Sequence, residues 1–79
     1  VEAGTADTCF RAVVAASTPV RAWFEDEKHT PRGAELTSAT TGLVPPRGPA
    51  CARKGEKLRL VIDPQAAPIT ARAIVWQAP

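Results

Sequence analysis

The sequence predicts a small all-β domain, an antiparallel β-sandwich of roughly five to seven short strands held by one disulfide. Three observations lead there. Prolines at 19, 31, 45, 46, 49, 64, 68 and 79 cut the chain into runs with no room for a long helix, because proline removes a backbone donor and restricts the residue before it. Several of those runs alternate apolar and polar residues with the period of a strand. Cys9 and Cys51 form an even pair in a short chain, a pattern that reads as a disulfide. The expected sandwich is immunoglobulin-like. The alternative is an OB-type five-stranded barrel, which ordinarily carries a helix between its third and fourth strands. Residues 42–55 are too rich in Pro and Gly to form that helix comfortably.

The elements follow in chain order. Residues 1–79 make a single domain, with 1–7 expected as a loose N-terminal tail. Cys9–Ala16 reads as a strand with Phe10, Ala12, Val14 and Ala16 on one side. A short helix capped at Asp7 or Thr8 would also gather Phe10, Val13 and Val14, but the β-branched residues favour the strand. Thr18-Pro19 separates it from the next run, in which Val20, Ala22 and Phe24 alternate with Arg21, Trp23 and Glu25. Lys28 to Gly33 is a turn cluster, so Val20–Asp26 is expected to pair with the threonine-rich Glu35–Thr41. The stretch GLVPPRGPAC, residues 42–51, holds three prolines and two glycines and predicts a stiff, exposed, extended loop ending on Cys51. Leu58, Leu60 and Ile62 alternate with Arg59, Val61 and Asp63, the clearest strand in the chain. Asp63–Pro68 reads as a turn, and Ile69–Trp76 as its return in an antiparallel hairpin.

Size limits what such a domain can hold. A chain of 79 residues buries only about 60–65% of its unfolded surface, so its core is thin. A bridge closing a loop of roughly 43 residues is worth about 4 kcal/mol in the chain-entropy model. It also implies an oxidising compartment, secreted or periplasmic. The sequence has no methionine, even at position 1, which reads as a cut before Val1, whether removal of an export signal peptide or excision of a domain. No apolar run approaches the roughly 18 residues of a membrane span.

Charge and motif exclude several function classes. The net charge is +2, too low to argue for nucleic acid as the partner. Its distribution is uneven: Glu25, Asp26 and Glu27 form an acidic cluster, and Arg47, Arg53, Lys54, Lys57 and Arg59 a basic stretch. Enzymatic activity has little support, since the one histidine, His29, lies in a turn and neither Ser17 nor Ser38 sits in a nucleophile elbow. Glu25, Asp26, Glu27 and His29 lack both the EF-hand spacing and the soft ligands of a zinc site. No phosphate loop, no CxxC pair and no cofactor motif is present.

The outward side of each strand is where function is expected. It should be polar, yet Arg21 stands with Trp23, Arg59 with Val61, Arg72 with Ile74 and Trp76, and Arg11 with Val13. Either the tryptophans are core and the arginine stems lie over them, or an exposed sheet face presents indole rings beside guanidinium groups, a combination enriched at protein interfaces. The second reading makes the chain a non-catalytic, extracytoplasmic binding or accessory module. It would engage a protein partner through Arg21, Trp23, Arg59, Arg72 and Trp76, as an assembly factor, chaperone-like or inhibitory subunit would. Two alternatives remain. A serine-protease inhibitor would present the rigid loop 43–49, with Val44, Pro45, Pro46 and Arg47, to a trypsin-like enzyme, with the preorganisation that lowers the cost of binding. The same tryptophans would stack on a saccharide or contact an acidic polymer.

Overall fold

The computed structural model describes residues 1–65 and 69–78. The chain is all-β: strands β1 (Thr8–Asp26), β2 (Pro31–Val44), β3 (Ala50–Ala52), β4 (Leu58–Pro64) and β5 (Ala71–Ala78) form one antiparallel sheet. The Cys9–Cys51 disulfide is present and joins direct register partners on β1 and β3. It therefore links neighbouring strands of one sheet, whereas an immunoglobulin bridge spans two. No helix among the described residues is long and apolar enough to cross a membrane.

Every strand pairs with β1. Cys9 is opposite both Cys51 and Ala78, and Ala12 is opposite both Val44 and Val75. One edge of β1 thus carries β2 and β3, and the other carries β4 and β5. β4 covers Val20 to Asp26 and β5 covers Cys9 to Ala16, end to end. This corrects the expected hairpin. β4 and β5 do not pair with each other, because β1 is long enough to seat both on a single edge. Of the predicted Asp63–Pro68 turn, Ala66–Pro68 lies outside the described residues.

Thr18-Pro19 also behaves differently from its reading as a break. β1 runs through it for 19 residues. Between Ala15↔Thr41 and Val20↔Ala39 the register slips, with β1 taking five steps to the two of β2. Pro19 falls within this bulge, where its missing N–H costs no ladder bond. Ser17 holds the bulge from the other side: its N–H donates to the Thr70 carbonyl at 2.9 Å and its hydroxyl accepts from the Thr70 N–H at 3.0 Å.

The bulge is where the sheet must bend. A straight strand of this length would span roughly 59 Å, yet the longest dimension of the molecule is 38 Å. The five residues between Ala52 and Leu58 bridge from the partner of Thr8 to the partner of Asp26, a reach of at most about 22 Å. Bending turns the inner faces of the two halves of β1 toward each other. Phe10, Ala12 and Val14 from one half join Val20, Ala22 and Phe24 from the other, with Val44, Ala50, Ala52 and Leu58, in one buried cluster. Each large side chain so buried contributes about 1.5–3 kcal/mol.

Residues 1–7, read as a loose tail, are partly tied down. Glu2 bridges Lys57, Ala3 is fully buried, its N–H donates to Glu56 O at 2.9 Å, and Leu58 N–H donates to Val1 O at 2.8 Å. The segment covers the seam where the crossover returns.

Two variants test this arrangement. Reducing the disulfide, or Cys9→Ala with Cys51→Ala, is expected to lower unfolding free energy by about 2–4 kcal/mol, read from urea melts. Gly33 has φ +84° and an added Cβ would sit 2.7 Å from Pro45 Cγ. Gly33→Ala therefore combines a left-handed backbone with a clash and should cost at least about 1 kcal/mol; an unchanged urea midpoint would contradict the close approach of β2 to Pro45.

Candidate functional site

Odd-numbered residues of β1 point away from the core, and register carries that outer face across the neighbours. Arg21 is opposite Asp63, Trp23 opposite Val61 and Glu25 opposite Arg59 on β4. Arg11 is opposite Trp76, Val13 opposite Ile74 and Ala15 opposite Arg72 on β5. All five expected binding residues, Arg21, Trp23, Arg59, Arg72 and Trp76, lie on this one face. The bend divides them. Arg21, Trp23 and Arg59 occupy the half built on β4, and Arg72 and Trp76 the half built on β5.

The β4 half is an ion network. Glu25 is buried although it points outward, because Trp23, Arg59 and His29 roof it. Arg59 Nε donates to Glu25 Oε1 at 2.7 Å, and Trp23 Nε1–H donates to Oε2 at 3.2 Å. His29 Nδ1 lies 3.0 Å from Glu25 Oε1 and 2.7 Å from Arg59 Nη2. It either donates to the carboxylate or accepts from the guanidinium, according to its tautomer. These contacts, led by His29 and then Arg59, hold the Glu25 pKa down to about 2. Arg21 forms a forked pair with Glu35, 2.7 and 3.2 Å, and its guanidinium carbon sits 5.4 Å from the Trp23 ring centroid. One face of that indole is therefore already occupied, which leaves Trp23 poorly placed to stack on a sugar.

A second network closes the bend beneath. Arg32 donates to Asp26 Oδ2 at 3.1 Å, to both carboxylate oxygens of Glu56, and to the Cys51 carbonyl at 3.2 Å. It ties the end of β1, the start of β2 and the end of β3 to the crossover turn. The Asp26 carboxylate also accepts the Lys28 and Thr30 N–H groups at 2.8 and 3.0 Å, which shapes the hairpin turn. Thr30 above all, with Lys28 and Arg32, holds the Asp26 pKa below its ordinary value, and Arg32 does the same for Glu56.

An open cleft of about 680 Å³ lies beside these networks, lined by Val1, Glu25, Asp26, His29, Lys57 and Arg59 among others. Of the residues lining it, Arg59 and His29 are engaged with Glu25. Neither serine hydroxyl reaches His29: Ser17 Oγ meets Thr70 and Ser38 Oγ accepts from Gln65. Among the described residues no group of three or more His, Cys, Asp or Glu side chains is placed to hold a metal ion.

The β5 half is different in kind. Leu43, Val13 and Ile74 form a single cross-strand row over β2, β1 and β5. Ile74 is 67% exposed, Leu43 40% and Trp76, in the next row, 38%. Arg72 stands beyond them, and Arg11 lies beside Trp76 with its guanidinium donating to the carbonyls of Pro45 and Pro46. Ile74 is an outward strand position in the sequence, whereas Leu43 reads there as part of the proline loop, and only the register shows that the two meet over Val13.

The proline loop is split by the fold. Val44 and Pro45 are among the largest fully buried side chains, while Leu43, Pro46, Arg47 and Pro49 of the expected inhibitor loop are exposed. The Val44–Pro45 peptide is cis. Of the residues before Arg47, Val44 and Pro45 thus belong to the core and Pro46 stands outside it.

No protein-family model, curated protein or solved structure matches the chain.

The lowered carboxylate pKa values set the acid response. Glu25, Asp26, Glu35 and Glu56 are all held below their ordinary values in the folded state. Each favours folding while ionised and loses that contribution when protonated. For Glu25 the loss runs as pH falls from 4.5 toward about 2. Urea midpoints should decline steadily across this window, and Glu25→Gln should make the decline shallower. A midpoint independent of pH over the same range would mean that the network does not form.

Proposed function

We propose that this chain is a non-catalytic binding module whose partner is a protein, engaged through the β5 half of the outer face. The observation that carries this reading is the exposed row Leu43–Val13–Ile74 with Trp76 beside it. Isolated apolar residues on a surface need no explanation, but a contiguous row on a rigid sheet marks a contact surface. Arg11 and Arg72 at its margin supply the polar rim, and the arginine–tryptophan pairing suits a protein interface. Of the five residues expected to bind, Trp76 and Arg72 fit this role best. Arg21, Trp23 and Arg59 are engaged in holding Glu25 and Glu35, and we read them as structural.

We read the bent sheet as a small sandwich-like domain, two halves of one sheet facing across a shared core, in preference to an OB barrel. The disulfide supports an extracytoplasmic location, where such a bridge persists. An accessory or assembly subunit is the class of protein these features describe: small, stapled, with one apolar contact face.

Capture of a partner from the native extracytoplasmic fraction tests the reading. Trp76→Ala and Leu43→Asp should each weaken capture by roughly tenfold or more, while Arg47→Ala and Arg59→Ala should leave it within about threefold. Retained capture by Leu43→Asp, with loss in Arg47→Ala, would replace this surface with the proline loop.

A further inference from the structure

We propose that β5 is a pairing edge, and that its partner is β5 of a second copy of this chain. This goes beyond the binding reading above, which concerns the outer face, by assigning the free edge of β5 a partner of its own, and it begins from how differently the free edges are built. The outer edge of β2 is broken twice. Against β1 it takes three steps to two between Ala39 and Leu36, then four to two between Leu36 and Arg32. Gly33 and Ser38 take positive φ at these irregularities. Bulges of this kind prevent edge-to-edge association. β4 ends in Pro64 and carries Arg59 and Asp63 within its seven residues, again the devices that blunt an edge. β5 has none of them. It pairs with β1 in eight consecutive register pairs from Ala71 to Ala78 without a slip, contains no proline, and bears one charge, Arg72. None of its eight residues is buried. Among the described residues it has β1 as its only strand partner. A regular, apolar, unprotected edge is a template for another strand.

Symmetry then narrows the register. Two antiparallel copies of one edge strand are related by a two-fold axis perpendicular to the sheet, so outer faces stay together and even residues must oppose even residues. With the axis at Ile74, the two Ile74 side chains face each other, and Arg72 of each copy opposes Trp76 of the other. The axis at Ile74 gives Arg72 an aromatic ring to lie over; among the described residues it makes no ion pair. The same register joins the two apolar rows into one, Leu43–Val13–Ile74 meeting Ile74–Val13–Leu43. The most exposed large apolar residue, Ile74, becomes the centre of a six-stranded outer face, counting β2, β1 and β5 from each copy.

Sedimentation velocity over a concentration series tests the pairing, and a cysteine scan tests its register. The wild-type chain should shift from monomer to dimer as concentration rises. Ile74→Lys should remain monomeric with an unchanged far-UV spectrum, and Leu43→Lys, two strands from the axis, should still dimerise. Arg72→Ala should raise the dissociation constant about three- to tenfold. Cys9 and Cys51 are bridged and no free cysteine is present, so an added thiol reports alone: Ile74→Cys should form a covalent dimer under mild oxidation, and Leu43→Cys should not. A chain that stays monomeric at every concentration, or an Ile74→Lys variant that still dimerises, overturns the proposal. Cross-linking through Leu43→Cys in preference to Ile74→Cys would show copies stacked face to face and also overturns it. The binding reading is judged separately by whether Leu43→Asp loses its partner, since Leu43 lies on the face and away from the edge.

Discussion

The structure depends on a single constraint: β1 must serve both of its edges and both of its ends. All other strands pair with it, and their number exceeds what a short strand could seat. A strand long enough to hold β4 and β5 in tandem is too long to remain straight in a domain this small. The bulge at Ser17–Pro19 resolves the conflict. It costs a few ladder bonds and lets one strand contribute to the core twice, through Phe10–Val14 and again through Val20–Phe24. A thin core is thereby closed on two sides by the same backbone.

Closing the bend needs its ends held, and the charged residues do this. Arg32 gathers Asp26, Glu56 and the Cys51 carbonyl at the crossover, while the disulfide fixes β3 to the start of β1 a few residues away. The two clamps are adjacent in space and different in chemistry. One is strongest where carboxylates are ionised, the other where thiols are oxidised. The acidic cluster Glu25–Asp26–Glu27, which looks like a solvated run in the sequence, is thus mostly structural. Only Glu27 of the three is exposed.

Much of this was legible in the residues. Period-two alternation identified the strand character of Cys9–Ala16, Val20–Asp26 and Leu58–Ile62, and it placed the arginines and tryptophans on the second face. Pairing of Val20–Asp26 with the threonine-rich run follows from the turn around His29, and cysteine parity gave the bridge. What was hidden is long-range. Pro19 reads as a stop because a proline in a ladder loses a bond, and nothing local reveals that a bulge absorbs it. The β4–β5 hairpin was expected because hairpins are the shortest way to pair two strands; a shared edge on a longer strand depends on contacts far apart in sequence. Val44 and Pro45 look like loop for the same reason. Val44 is buried as the partner of Ala12 in the core and Pro45 lies against Gly33, contacts made only after the sheet has folded over.

The bend also decides how the outer face divides. On the β4 half, outward residues lie beside the charged hairpin turn and crossover, so Trp23, Arg59 and Arg21 find carboxylates within reach and are used up in satisfying them. On the β5 half, the neighbours of Trp76 and Ile74 are Arg11, Val13, Leu43 and Arg72, and no acidic side chain stands among them. Among the described residues the Arg72 guanidinium has no carboxylate partner, and the Trp76 indole is left partly exposed. The same sequence pattern, arginine beside a large apolar residue, therefore ends as internal electrostatics on one half and as an exposed apolar surface on the other. Local pattern fixes which side of the strand a residue occupies. Whether that side is consumed or available is fixed by what the fold brings alongside it, and here the division falls at Pro19.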